Sequence, residues 1–256
     1  CAIRHKEVTN KFFINYDHAK HQFKDSYKYE SILRLNLKDR FILTAEYLLH
    51  YDPHEPLYMG YDPGNFQSLI VAQKKDYGRR LDIIKEFFAF LPKDYNDLVA
   101  EVHQFFGSAA ANKTIYLYPD RAGNKRREER EQITTDSLNL KAALESYGFM
   151  VILYNEDAPT IYHWQQFKLC QMLFGERSPL LPVIRIDENE CKNLCSAIMI
   201  SPLKKTDGKI EVDKSSEKKQ QLKNQAGLTT QLPSAMIYLL YGLYSDAVKA
   251  ELSTYP

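Results

Sequence analysis

The sequence predicts an α/β domain with a mixed central sheet, in which three antiparallel strands are followed by parallel strands, with helices on both faces. Three apolar runs, at residues 57–61, 68–73 and 81–90, are joined by turns of only a few residues. Turns this short force neighbouring strands to be antiparallel. Beyond residue 90, apolar runs alternate with stretches of helical spacing, which is typical of parallel strands joined by helices.

The other elements follow in chain order. Residues 11–16 are predicted to form a strand and residues 30–50 a helix, and prolines at 53 and 56 then break the chain. After the three strands come helix 97–106, strand 114–118, helix 127–147 stopped by Gly148, strand 149–154, helix 161–174, strand 183–186 and helix 191–200. A hairpin over 204–214 turns at Asp207-Gly208, residues 215–227 are expected to be a mobile loop, and a last helix covers 233–252.

The composition is that of a globular protein, with 44% hydrophobic and 26% charged residues among 256. We expect residues 1–55 to be an N-terminal extension that packs on a main domain at 56–256. The formal net charge is only +1, so a nucleic-acid role must depend on a local basic patch. Lys125, Arg126 and Arg127, followed by Arg130, form such a patch, and a solvated helix start is the alternative interpretation.

Cysteine usage and hydropathy indicate the compartment. Cys1, Cys170, Cys191 and Cys195 form no CxxC pair, so buried free thiols in a reducing, cytosolic environment are expected. No run of about 18 apolar residues is present, and we therefore expect no membrane span. Because the chain begins at Cys1 rather than Met, we expect it to be a fragment of a longer protein.

Two aspartates follow short apolar runs and precede turn residues. Asp62 is followed by Pro-Gly-Asn, and Asp120 by Arg-Ala-Gly-Asn. The predicted strand directions make the strand at 114–118 parallel to the strand at 57–61, so the two can pair. Neighbouring strands are about 4.8 Å apart, and both acids would then stand at the same end of the sheet.

Such a pair of carboxylates suits a divalent metal ion. Mg²⁺ prefers oxygen ligands and is often held by one or two carboxylates together with phosphate oxygens. Two ions about 4 Å apart can activate a water and stabilise the leaving oxygen in phosphodiester cleavage. The alternative interpretation is ordinary turn chemistry, which uses the same residue types.

Motifs spread over residues 59–244 resemble the nuclease domain of the large terminase subunit of tailed bacteriophages, which has a ribonuclease-H-like (RuvC-like) fold. The matching segments are MGYD at 59–62, IVAQ at 70–73, YPDRAGNKR at 118–126, IDENECKNL at 186–194, GKIEVDK at 208–214 and TQLPSAMIYLL at 230–240. Each segment is weak alone, whereas their order and spacing together are fairly specific.

The resemblance implies an endonuclease that cuts concatemeric double-stranded viral DNA during genome packaging in the host cytoplasm. It implies two Mg²⁺ or Mn²⁺ ions held by three acids, with Asp62 as the first ligand and Asp120 as the second. It also implies an ATPase motor ahead of this domain, and the terminase small subunit and the portal protein as partners. The sequence contains no GxxxxGK[ST] phosphate loop, so the motor is expected to lie outside this chain.

The last helix departs from the family pattern. The family opens this helix with a His-x-x-Asp-Ala type motif, whose Asp is the third metal ligand. In this chain Gln231 stands at the His position and Ser234 at the acidic position. Three accounts stay open: the residue was altered, another acid substitutes (Asp213 first, Asp246 second), or the second ion is held weakly. We expect retained but weak metal-dependent activity.

The sequence therefore predicts a two-metal endonuclease for duplex DNA. The candidate DNA contacts are Lys125, Arg126, Arg127, Lys209 and Lys214. Tyr238, Tyr241 and Tyr244 have helical spacing and are expected to pack. One alternative is a catalytically silent DNA-binding or motor-docking module of the same fold, and another is a junction resolvase or transposase-like nuclease.

Overall fold

The computed structural model describes residues 10–33, 42–120, 127–129, 132–154, 163–206, 209–219 and 225–253. Its strands are β1 (Gln22–Phe23), β2 (Leu57–Asp62), β3 (Gln67–Lys75), β4 (Arg80–Ala89), β5 (Thr114–Pro119), β6 (Arg127–Glu129), β7 (Gln132–Thr134), β8 (Met150–Leu153), β9 (Val183–Asp187), β10 (Leu203–Thr206) and β11 (Lys209–Val212). Seven of them form one sheet in the order β1-β9-β4-β3-β2-β5-β8, and β6/β7 and β10/β11 form two separate hairpins.

The strand directions of the main sheet follow the prediction. β3 is antiparallel to both of its neighbours, β2 and β4. The pairs β2/β5, β5/β8, β4/β9 and β1/β9 are parallel. Every strand of this sheet except β3 therefore runs in one direction, and the ribonuclease-H-like mixed sheet predicted from the sequence is confirmed.

Helices cover both faces of the sheet, as predicted. The described helices are α1 (His18–His21), α2 (Tyr29–Leu33), α3 (Tyr95–Phe106), α4 (Asp136–Ser146), α5 (His163–Gly175), α6 (Lys192–Ile200) and α7 (Gln231–Ser253). Apolar side chains of α5, α6 and α7 form the core on one face, and those of α3 and α4 form the core on the other. The central strand β3 is covered from both sides, since its residues 69–73 are all buried.

Local sequence signals explain where several helices begin and end. Asp94 accepts hydrogen bonds from the first amides of α3, and Asp97 accepts one from the Asp94 backbone amide, which makes a capping box. After α4, Gly148 adopts a φ of +84°, a conformation that favours glycine, so the predicted stop at this position is correct.

The predicted long helix over residues 127–147 is wrong in its first part. Arg127–Glu129 and Gln132–Thr134 form the β6/β7 hairpin instead, and the helix begins only at Asp136. Thr135 caps it by accepting a hydrogen bond from the Leu138 amide at 3.1 Å. A threonine at this point favours an N-cap over a helix interior, and the preceding Ile-Thr-Thr run is rich in β-branched side chains.

The predicted helix over residues 30–50 is correct at 30–33, within α2, and wrong for the described residues from 42 onwards. Helix α2 ends at Leu33, residues 34–41 lie outside the described ranges, and residues 45–47 form a single 3₁₀ turn. Here the chain pairs with an earlier segment. The Lys28 amide donates to the Tyr47 carbonyl and the Leu49 amide to the Ser26 carbonyl, both at 2.8 Å.

The predicted strand over residues 11–16 is reduced to one isolated bridge between Lys11 and Pro202. Phe12 and Phe13 are buried in the core with α5 and α7. This tertiary contact explains the apolar run without a ladder of strand hydrogen bonds. The domain boundary near residue 55 stays a prediction.

The segment after β11 is helical where an open loop was expected. Residues 214–218 and 226–228 form 3₁₀ turns, and Glu217, in the first of them, is buried, with 8% of its surface exposed. Residues 220–224 lie outside the described ranges. The sequence did not predict these turns, because the segment is polar, rich in Lys and Gln, and has no apolar periodicity.

The cysteine prediction agrees with the structure for the three cysteines that it describes. Cys170, Cys191 and Cys195 are free and buried. Cys1 lies outside the described residues. Among the helices of the described ranges, none combines the length and apolar character that crossing a membrane requires.

Candidate metal centre

The two predicted metal ligands stand together at one edge of the main sheet. Asp62 is the last residue of β2, and Asp120 directly follows β5. The two strands are parallel neighbours in register, with Tyr61 opposite Pro119. The Asp120 amide donates to the Tyr61 carbonyl at 2.8 Å and extends this pairing by one position. Adjacent strands, rather than sequence proximity, therefore bring these two acids together.

The carboxylate of Asp62 is buried and has few hydrogen-bond donors. Only 2% of the residue surface is exposed. Oδ1 accepts a hydrogen bond from the Gly64 amide at 3.0 Å, while Oδ2 is buried without a hydrogen-bond partner. The ammonium group of Lys214 lies 3.8 Å from Oδ2, which is an ion-pair separation longer than a hydrogen bond.

Burial raises the pKa of the Asp62 carboxyl to about 7. The negative charges of Asp120 and Glu217 add to this increase, whereas the Lys214 ammonium and the Gly64 amide oppose it. A carboxyl in this state gains much from a cation, because a bound positive charge would relieve both its burial and its repulsion by neighbouring acids.

Helix α7 supplies the wall opposite the two strand ends. Ser234, the residue at the expected acidic position, lies in its first turn and is buried, and its amide donates to the Thr230 carbonyl at 2.9 Å. Tyr238 lies one turn further on the same helix face. Burial together with the charges of Asp62 and Asp120 holds the pKa of Tyr238 well above its usual value, so its protonated hydroxyl faces the acids of the centre.

Tyr238 is therefore more than the packing residue that the sequence suggested. Its spacing of four from Ser234 placed it on the same helix face, and this was the available signal. The sequence could not show that the face points at Asp120, because that depends on how α7 is seated on the sheet.

Two glycines let α7 approach β2 closely. A Cβ atom on Gly60 would lie 2.0 Å from the backbone oxygen of Ala235, and one on Gly64 would lie 2.3 Å from the amide group of Gln231. The Gly60 contact is with helix backbone, so a glycine at this position is required for the close approach of α7 to β2. The Gly64 contact is with the end of the flexible Gln231 side chain, which can shift.

Lys214 and Asp213 reach the centre from the end of the β10/β11 hairpin. Burial acts to lower the pKa of Lys214, but the carboxylates of Asp62, Glu217 and Asp120 outweigh it, and the pKa is raised. Asp213, the predicted substitute acid, caps the following 3₁₀ turn by accepting a hydrogen bond from the Ser215 amide at 2.9 Å. It lines the same cleft as Asp120 and Ser234.

Glu217 is a buried acid near the centre that the sequence reading missed. It accepts a hydrogen bond from the Thr230 hydroxyl, and the Gln231 side-chain amide donates to its Oε2 at 3.0 Å. These donors hold Glu217 against the start of α7. Its charge still acts on Asp62, Lys214 and Tyr238. No motif marks this position, since it lies in the segment expected to be an open loop.

Asp62 and Asp120 fit a divalent cation by their chemistry. A buried carboxylate oxygen without a hydrogen-bond donor is what a hard cation requires, and a second carboxylate stands on the adjacent strand. A third acidic ligand is missing. In the part of the chain that the structure describes, no group of three or more His, Cys, Asp or Glu side chains is arranged to hold a metal ion.

A cleft of about 840 Å³ opens onto this centre. Asp120, Ser234 and Tyr238 line one side of it. The side chains contributed by α5, the hairpin and the following 3₁₀ turn include His163, Lys204, Asp213, Lys214 and Lys218. The lining thus carries three lysines beside three acids, Asp120, Glu211 and Asp213, and Lys204 pairs with Glu211 at 2.8 Å. Lysines beside carboxylates suit a phosphate-bearing ligand bound through a cation.

The other predicted site residues are placed as follows. Lys125 and Arg126 lie outside the described residues, and for Arg127 and Lys209 the backbone lies on β6 and β11. Asp246, the second candidate substitute, is 93% exposed and pairs with Lys249 at 2.8 Å. It is not among the residues that line the cleft, so the structure does not bring it to the other acids.

Comparison with known proteins adds a relationship of fold. No protein-family model matches the chain, and a search of curated sequences finds no relative. Two solved structures of the large terminase from a thermophilic bacteriophage are similar to it. One crystal form aligns over 90% of this chain and 43% of its own, with a TM-score of 0.53 and 12% sequence identity. The ATP-γ-S complex aligns over 91% and 45%, with a TM-score of 0.54 and 10% identity.

The chain therefore spans less than half the length of these two terminase structures. The nuclease domain of the P22 large terminase aligns over 90% of this chain and 99% of its own, with a TM-score of 0.49 and 10% identity. At 10–12% identity, the likeness to the two longer terminase structures shows a shared fold.

Proposed function

We propose that this chain is a metal-dependent endonuclease for double-stranded DNA, with Mg²⁺ or Mn²⁺ held by Asp62 and Asp120. One observation carries the proposal: a buried carboxylate without enough donors stands beside a second carboxylate at the end of paired parallel strands. Acids used only for structure are normally satisfied by hydrogen bonds. The Asp62 carboxylate is not, and a cation would complete it.

A divalent cation at this position supplies Lewis-acid chemistry, activating water and stabilising the leaving oxygen of a phosphodiester. The chain's own residues position the reactants. Tyr238 lines the cleft with Asp120, and its protonated hydroxyl is available to orient that carboxylate. Lys218 borders the cleft and is placed to contact backbone phosphates, whereas Lys204, which also borders it, pairs with Glu211 at 2.8 Å. Two ions, which the family resemblance implies, need a third acid, and Ser234 does not provide one.

The biological role follows from the likeness to the large terminases of the comparison. We place this chain in the packaging of a bacteriophage genome, where it cuts concatemeric duplex DNA in the host cytoplasm. The terminase small subunit, the portal protein and an ATPase motor are the partners proposed for the full-length protein.

The test is a plasmid-cleavage assay with Mn²⁺, in which the chain is compared with Asp62→Asn and Asp120→Asn. Both variants keep the shape of the side chain and remove its charge, so we expect cleavage to be lost in each. Asp246→Asn is the matched control, since Asp246 is an exposed acid on α7 that pairs only with Lys249 among the described contacts. Cleavage that continues unchanged in both site variants would remove the basis of the proposal.

A second candidate function is a catalytically silent DNA-binding or motor-docking module, and Ser234 is the observation in its favour. Ser234→Asp separates the two candidates when cleavage and DNA binding are measured together. A large gain in cleavage indicates a weakened nuclease. Unchanged DNA binding with no cleavage in either protein indicates the silent module.

A further inference from the structure

We propose that this site takes one divalent cation and that the ammonium group of Lys214 supplies the second positive charge that a phosphodiester meets there. The inference rests on the function proposed above and concerns how the centre is built. The relevant juxtaposition is that of Lys214 Nζ and Asp62 Oδ2, which are 3.8 Å apart at the rim of the cleft.

The Asp62 carboxylate is poorly placed to bridge two ions. A carboxylate that bridges two cations commonly gives one oxygen to each of them. Oδ1 already accepts the Gly64 amide at 3.0 Å, and Oδ2 already faces the Lys214 ammonium. One side of this carboxylate is therefore committed to the backbone, and the other side can serve one metal ion beside a lysine.

The acids that could hold a second ion have other roles. Ser234 is neutral, and a hydroxyl is a poorer ligand for a hard cation than a carboxylate. Glu217 is bound by the Thr230 hydroxyl and the Gln231 amide. Asp213 gives Oδ1 to the Ser215 amide at 2.9 Å, and no group of three acids among the described residues, with or without Asp213, is arranged to hold a metal ion. Among the described residues, Asp62 and Asp120 are thus the pair available to a metal.

The net charge of the acidic and basic side chains at the centre is that expected for a site with one divalent cation. The carboxylates of Asp62, Asp120 and Glu217 and the ammonium of Lys214 interact with one another. When a bound cation keeps all three acids ionised, these four groups together carry two negative charges, which one divalent cation balances. A second divalent cation would have to approach an ammonium group that is already in place, and like charges at such separations repel strongly in a partly buried site.

The experiment is a calorimetric titration of the protein with Mn²⁺, without DNA. We expect one ion per chain for the unchanged protein and for Lys219→Met, the matched control. Lys219 is exposed on the same segment and does not line the cleft. For Lys214→Met, which removes the competing charge, we expect Mn²⁺ to bind at least about tenfold more tightly.

Two further variants complete the test. The double variant Lys214→Met/Ser234→Asp removes the ammonium and adds an acid at the start of α7, so it should take two ions. Lys214→Gln serves as a second neutral replacement with a polar end, and thermal melting checks that each variant is folded.

The outcomes separate the inference from the proposed function. Two ions in the unchanged protein, or an unchanged Mn²⁺ affinity in the folded Lys214 variants, would overturn the role of Lys214 and leave the nuclease proposal standing. If the unchanged protein and the variants bind no Mn²⁺, the proposed function fails and the inference fails with it.

Discussion

Asp62 and Asp187 occupy equivalent places in the sheet and have opposite surroundings. Each ends a strand, β2 or β9, and these strands run in the same direction, so both acids lie at the same sheet edge. Both are buried, with 2% and 1% of their surface exposed, and burial raises the pKa of each carboxyl. The two carboxylates differ in the hydrogen-bond donors that reach them. Asp187 Oδ1 accepts three hydrogen bonds, from the Ser26 hydroxyl at 2.6 Å and the amides of Asn189 and Glu190 at 2.9 and 3.0 Å.

This difference shows which property marks a functional acid. Burial and position at a strand end are shared by the two residues, so neither property separates them. The number of hydrogen-bond donors to each carboxylate does separate the two residues. Asp187 is satisfied by the N-terminal segment and the turn before α6, which makes it a structural link. Asp62 has one backbone donor and an oxygen without a hydrogen bond, so its carboxylate is completed only by a cation.

The largest expected effect of this contrast is on cleavage. Asp62→Ala removes the acid that a metal ion needs, and metal stabilisation of the transition state is worth several kcal/mol, so we expect a loss of at least about 1,000-fold. Asp187→Ala should change the activity of the folded protein much less. Initial rates of plasmid nicking, normalised to the folded fraction, test both. Similar losses of cleavage in the two variants would contradict the prediction that Asp62 is needed for cleavage and Asp187 is not.

In stability, Asp187→Ala should have the larger effect and Asp62→Ala the smaller, which is the opposite of their order in activity. Asp187→Ala leaves the Ser26 hydroxyl and two amides without their acceptor in a buried place, which should lower the free energy of unfolding by about 3 kcal/mol. Asp62→Ala removes a buried charge with few partners and should cost less than about 1 kcal/mol or even stabilise the protein. Urea unfolding in the presence of a chelator measures both values. A larger loss of unfolding free energy in Asp62→Ala than in Asp187→Ala would contradict the difference in hydrogen-bond donors described above.

A third effect concerns the pH dependence of stability without metal. The pKa of Asp62 is about 7 in the folded chain against an ordinary value of 3.8, so between these pH values the folded state holds a proton that the unfolded state has released. This contribution to stability is complete below pH 3.8 and is lost as the pH rises through about 7. Relative to Asp62→Asn, the unchanged protein should lose about 1 kcal/mol per pH unit in this window. Parallel stability curves for the two proteins would exclude the raised pKa.

The smallest expected effect comes from Tyr238→Phe. The variant keeps the ring and removes the hydroxyl that faces the acids of the centre, so the proposed metal ligand Asp120 loses a polar neighbour. Loss of such a partner commonly weakens metal binding by roughly 10- to 100-fold, and we expect about tenfold in Mn²⁺ affinity. Tyr241→Phe is the control, because the Tyr241 hydroxyl donates to Gln165 instead. An equal change in both variants would assign the effect to general packing.

The sequence predicts much of the sheet and the neighbouring positions of Asp62 and Asp120. Short turns after the strands at 57–61 and 68–73 fix their directions, and the parallel strand at 114–118 then follows. Yet the pattern that singles out Asp62, an apolar run ending in an aspartate before turn residues, also describes Asp187. The separating contact is with Ser26, 161 positions away along the chain. No local pattern carries that information.

The remaining errors have related causes. The helix predicted to start at residue 127 reflects a stretch of charged helix formers, and the hairpin prevails because the β-branched residues at 133–135 favour a strand and a cap. Glu217 was missed since its donors, Thr230 and Gln231, lie at the start of the next helix. The hairpin thus follows from local residue types that were outweighed in the prediction, whereas Glu217 depends on tertiary partners that composition does not indicate.

The contact of Gly60 and Gly64 with α7 limits how this centre could diversify in related proteins. At Gly60 the helix backbone at Ala235 leaves no room for a Cβ atom, and at Gly64 the Gln231 side chain fills the space, so a larger residue at either position would displace the start of α7 or that side chain. A lineage that alters its metal chemistry must therefore exchange side chains at fixed points, such as 234 and 238. The backbone around the centre would then stay in place, and evolutionary change would be confined to the side chains that it carries there.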